Sequence, residues 1–263
     1  MLSLSTDRGF RPKGRSGMGK VQLILAVFSL SIALSVPAAH GVQMTIPGTA
    51  NLWGAGLSVM PSGGARGTLP PVFTLASGGG TLVFSQVTGQ IKYGTNQPFH
   101  GPDGSLTGPS DINPSPHNDI SGYKGSTRAP LVGVFRDGAA PVPGATPPAT
   151  LDFSGTGLGM GFDQLFPGLN QVFFIGDGLS GTGSGTQQQF HIPTGATRLF
   201  LGTVDGPNFF GNPKYFSDNG GEFYAEFDYV GETPPTSAVP EPTTALLLAS
   251  GLLGLIGYRR WRR

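Results

Sequence analysis

Cysteine is absent from this 263-residue chain, which excludes disulfide staples, thiolate nucleophiles and cysteine-held metals; if the protein is exported, packing or a bound ion must give it durability. Charge is scarce, at 12% of residues, and the cationic share sits at the ends: Arg8, Arg11, Lys13, Arg15 and Lys20 at one, Arg259, Arg260, Arg262 and Arg263 at the other. Between them, residues 42–238 hold seven basic against thirteen acidic side chains, a net charge of −6. No basic cluster able to release phosphate counterions exists there, so nucleic acid is excluded as a partner of this part. The hydrolase patterns G-x-S-x-G and H-E-x-x-H are missing too, and the expectation is a protein that is not an enzyme.

Glycine (44) and proline (24) make up about a quarter of the chain, while 18 Phe, 6 Tyr and 2 Trp supply its core; each ring removes roughly 150–250 Å² from water. This pairing predicts short strands joined by tight turns. The clearest strand is EFYAEFDYV, 222–230, in which Phe223, Ala225, Phe227 and Tyr229 alternate with Glu222, Tyr224, Glu226 and Asp228, as a half-buried antiparallel strand requires. Further strands are expected in 71–76, 81–89, 130–136, 171–176, 188–192 and 197–204. Seven or eight such strands predict an all-β antiparallel β-sandwich, in its jelly-roll form, over 42–230, followed by an extended linker at 231–238. The interval 94–128 has no strand pattern, and a loop of that length is expected to be functional or mobile. GDGLSG, 176–181, matches G-x-G-x-x-G. No helix opens after it, so it reads as a hairpin loop rather than a phosphate cradle.

Both ends read as transit devices. The basic stretch leads into VQLILAVFSLSIALSV and then PAAHG, the layout of a secretory signal peptide over 1–41 with Val42 as the first mature residue; translation starts at Met1 or at Met18. At the other end VPEP (Val239, Pro240, Glu241, Pro242) precedes an uncharged run, 243–258, and the arginine-rich tail. As a helix that run is about 24 Å long, marginal against a hydrocarbon core near 30 Å, and its basic flank belongs in the cytoplasm. These three parts, 239–263, resemble the PEP-CTERM sorting signal of Gram-negative bacteria. The resemblance implies an exosortase-type membrane protease as partner, with the inner membrane holding 243–258 before processing near Pro240–Pro242. The final location it implies is the cell surface or medium, often alongside exopolysaccharide.

The interval 196–227 carries the candidate site. A strand ends at Asp205 and SDNGGEF starts the next, so Asp205, Asp218 and Asn219 are expected to converge at one edge. Carboxylate and amide oxygens on a turn suit Ca²⁺; they are also what any hairpin turn selects. FLGTVD…YFSDNGGEF, with GQIKYGTNQPFHGPDG upstream, is similar to the LecA-like calcium-dependent galactose-binding lectins, which are jelly-roll sandwiches. That resemblance implies Ca²⁺ held by the side chains of Asp205, Asp218 and Asn219 and the carbonyls of Tyr93 and Tyr215, with the ion binding sugar hydroxyls. Asp218 stands where the family has an amide. The loop from Asp205 to Asp218 is longer than the family's, and its sugar-contacting His and Gln have no secure counterpart in 100–120. The expected function is thus an exported binding protein with a calcium site and a polysaccharide ligand, the alternative being a structural matrix protein with no small ligand.

Overall fold

The computed structural model describes residues 41–62, 66–75, 79–106 and 111–230. Contacts divide the chain into Met1–Ala38 and Ala39–Arg263, and every described residue belongs to the second unit. The expected signal helix, the linker and the C-terminal membrane helix lie outside the described residues. Among the described residues, no helix is long and apolar enough to cross a membrane, and helical structure is confined to three short 3-10 turns.

The fold is all-β. Nine strands form its two main sheets: β1 (Val42–Pro47), β2 (Val72–Thr74), β3 (Thr81–Lys92), β4 (Val132–Arg136), β5 (Gln164–Leu165), β6 (Val172–Phe174), β7 (Gln189–His191), β8 (Arg198–Gly202) and β9 (Gly220–Val230). One sheet runs β1-β9-β3-β7-β5, the other β2-β8-β4-β6. All neighbours are antiparallel except β5 and β7. The alternation of β9 is as its sequence demands. Phe223, Ala225 and Phe227 are buried and Tyr229 packs on the core, while Tyr224 stands exposed on the other face. The sheets meet through rings: Phe73 of β2 lies edge-on to Phe227 of β9 at 5.4 Å, and Phe173 of β6 reaches Phe190 of β7 at 5.5 Å. Offset and edge-on ring pairs of this kind contribute about 0.5–1.5 kcal/mol each beyond their buried area.

The remaining ladders are short. GDGLSG, expected as a hairpin loop, instead supplies in Leu179–Gly181 the first strand of a hairpin, paired with Ser184–Gln187. Within 94–128 the chain forms two-residue strands at Asn113–Pro114 and Lys124–Gly125, and buries Ile112, Ile120 and Tyr123 completely. The described part of this interval is a packed cover rather than a free loop. The Trp53 indole donates to the Ser121 carbonyl at 2.9 Å, and Arg136 of β4 makes a two-pronged pair with Asp119 at 2.8 Å on each prong.

These ladders set up one end of the five-stranded sheet. β1 stops at Pro47, β3 at Lys92, and β9 begins at Gly220 opposite Lys92. The candidate residues stand just past these points.

Candidate functional site

Beyond β8 the chain stays buried through Thr203, Val204 and Asp205. Thr203 is tied to the end of β1: its N–H donates to Ala50 O at 3.0 Å and its hydroxyl to Gly48 O at 3.2 Å. This fixes Asp205, only 3% exposed, at the sheet end. Its Oδ1 accepts from the Gly206 N–H at 2.7 Å; its Oδ2 is buried with no hydrogen-bond partner. The chain then loops out through Asn208, Phe209 and Tyr215, all at positive φ, and returns in a 3-10 turn, Phe216–Asp218. Asn219 follows, 7% exposed; its Nδ2 donates to the same Gly48 carbonyl at 3.0 Å, and its Oδ1, like Asp205 Oδ2, is buried without a donor.

The two side chains are neighbours, and this shapes their electrostatics. Burial pushes the Asp205 carboxyl up to about 7; the Gly206 N–H and the Asn219 amide offset part of that, while the charge of Asp218 adds to it. A carboxylate at this depth must find a proton or a cation. The Asp218 side chain is exposed, and its Oδ2 lies 3.6 Å from where a Cβ on Gly94 would stand. Asp218 therefore borders the end of β3, where Tyr93 and Gly94 follow Lys92.

The Tyr93 ring is turned into the core, 5.0 Å from Phe209 and 5.7 Å from His100, with the Arg128 guanidinium 5.7 Å from its centre. What Tyr93 can offer the site is its main chain. Tyr215 stands further out. It is 43% exposed with Lys214 Nζ 5.0 Å from its ring centre, and its carbonyl accepts from the Asp218 N–H at 3.4 Å.

The structure thus brings Asp205, Asn219 and Asp218 to one sheet end, with Tyr93 and Gly94 beside them. The Tyr215 carbonyl closes the turn. Among the described residues, no group of three or more His, Cys, Asp or Glu is placed to hold a metal; the gathering here has two carboxylates and an amide. Sequence reasoning missed Gly48, whose carbonyl receives both Asn219 and Thr203. A main-chain acceptor leaves no side-chain signature, and the only signal at that point is the Pro47–Gly48 pair of a turn. Of the described histidines, His100 packs beside the Tyr93 ring with its Nδ1 3.0 Å from Gly101 O, His117 Nε2 is 3.4 Å from Arg66, and His191 stacks on Phe166 at 4.0 Å.

Residues 238–263 match the PEP-CTERM protein-sorting motif, one residue longer than the stretch read from VPEP onward. No curated protein and no solved structure matches the chain. The motif supports export of the chain as an exosortase substrate, sorted through its C-terminus at the membrane.

Proposed function

We propose that the domain is a calcium-binding module, not an enzyme, of jelly-roll type, which takes a surface polysaccharide through the ion after exosortase sorting. The observation that carries this reading is a pair of buried oxygens on adjacent side chains, Asp205 Oδ2 and Asn219 Oδ1, neither of which accepts a well-formed hydrogen bond; the Asn219 amide, committed to Gly48 O, only partly eases the buried carboxylate. Buried polar atoms are rarely left without partners, and two adjacent acceptors are satisfied either by a proton on Asp205 or by a cation between them, for which carboxylate and amide oxygens suit Ca²⁺. Asp205, Asn219 and Asp218 would hold Ca²⁺ by their side chains, and Tyr93 and Tyr215 by main-chain oxygens. Ca²⁺ accepts six to eight oxygens, so such a set supplies open positions for sugar hydroxyls. The test is titration calorimetry of the processed protein with CaCl₂, followed by a glycan array with and without chelator. Binding of Ca²⁺ that Asp205→Asn weakens about tenfold or more is expected; no heat with wild type ends this reading.

One observation favours the structural alternative. Asp205 and Asn219 also pin their loop without an ion, through Gly206 N–H and Gly48 O. In a matrix protein that use alone would account for them, and chelator would leave the melting temperature unchanged.

A further inference from the structure

The outer face of the five-stranded sheet carries a second feature, remote from calcium chemistry. Across β1, β9 and β3 the pairing aligns Thr45, Tyr224 and Thr88 in one rung and Gln43, Glu226 and Gln86 in the next. These six side chains line a shallow cleft of about 240 Å³. Neighbouring strands are about 4.8 Å apart and same-face rungs about 6.8 Å, so the six form a patch of roughly 10 by 7 Å.

The centre of the patch is an aromatic ring held in place. Tyr224 is 48% exposed, yet its hydroxyl donates to Glu222, and its edge leans over Gly89, where a Cβ would stand 3.2 Å from Cδ2. Gly89 has φ of +90°, so a side chain is disfavoured there on two grounds. Gln43 Nε2 donates to Glu226 at 3.3 Å, and Thr45, Gln86 and Thr88 are exposed on the same face.

We propose that this cleft binds a glycan chain that carries no negative charge, independently of the calcium site. An anchored ring offers a stacking face for the apolar side of a sugar, and amides and hydroxyls around it match sugar hydroxyls. Charge complementarity selects the class: Glu222 and Glu226 flank the ring, no lining residue is cationic, and the domain as a whole is acidic. An anionic polymer is repelled. The face lacks the broad apolar centre of an obligate protein interface.

The experiment uses the full chain in detergent with three soluble probes, cellohexaose, a chitosan hexamer and an alginate hexamer, each measured by calorimetry in EDTA. Binding of cellohexaose or the chitosan hexamer is expected to persist in EDTA, to survive Asp205→Asn, and to fall about tenfold in Tyr224→Ala, as truncation of a central aromatic contact does. Because Tyr224 is exposed, the variant keeps its fold, and Gln86→Ala gives a second, milder loss. Preference for alginate, loss in EDTA, or no binding of either uncharged or amine-bearing probe overturns the proposal. So does a concentration-dependent dimer that Tyr224→Ala abolishes, which would make the face a contact between copies. Failure of the calcium reading alone leaves these outcomes unchanged, so the two are separable.

Discussion

Asp205 couples the candidate site to pH. Its folded-state pKa is raised from 3.8 to about 7, so between these values the folded chain holds a proton that the unfolded chain releases. In the absence of Ca²⁺ this contribution is therefore fully present below 3.8 and is lost as pH rises from there through about 7. The shift corresponds to a contribution on the order of 4 kcal/mol. His100 and His117, both lowered chiefly by burial, act with the opposite sign. The difference between wild type and Asp205→Asn cancels them. Urea unfolding in EDTA at about pH 5 and about pH 8 should show wild type losing stability relative to Asp205→Asn as pH rises, and CaCl₂ at the higher pH should restore it. A parallel pair of profiles would remove Asp205 from this role. Elsewhere, Arg136 is 1% exposed and paired twice with Asp119. Removing one partner of a buried pair strands the other charge, so Arg136→Ala should cost about 3–5 kcal/mol, read from the urea midpoint.

At the scale of elements, β9 organises the molecule, because it pairs with β1 on one side and along all of its length with β3 on the other. Phe227 is fully buried within it, touching Phe73 of the facing sheet and Phe84 of β3. Phe227→Ala should destabilise by about 3–5 kcal/mol, and Tyr229→Ala, at the partly buried end, by clearly less; equal losses in urea unfolding would contradict this placing of the core. β9 is readable in the sequence because its alternation is uninterrupted over eight residues, from Glu222 to Tyr229. β1 is not, since Ile46 is its only fully buried apolar residue and it runs along the sheet edge. The two-residue ladders at Asn113–Pro114 and Lys124–Gly125 are too short to carry any period. Asp205 and Asn219 are readable as residue types on a turn. Their depth is not, because it is imposed by Gly48, which comes from the far-off end of β1 and whose carbonyl receives both Asn219 and Thr203, two residues before Asp205.

At the scale of the whole domain, the ladder between β1 and β9 has polarity. Val42 pairs with Phe227, and β9 ends at Val230, so the described domain begins and ends at the same end of the sheet. Asn219 and Gly48 lie past the opposite end. The eleven residues of β9, at about 3.4 Å each, put roughly 35 Å between the two ends. The last described residue, Val230, stands on the far side from the candidate site, and every described contact of Asp205 and Asn219 is made by residues before it. Under the proposed calcium reading, the full chain in detergent micelles and a chain cut before Val239 should accordingly bind Ca²⁺ equally to within about twofold, a difference below ~0.5 kcal/mol. Parallel calorimetric titrations of the two forms at one pH measure this directly. A gap of about tenfold would mean that the C-terminal segment reaches back across the domain, and the separation of sorting from binding would then fail.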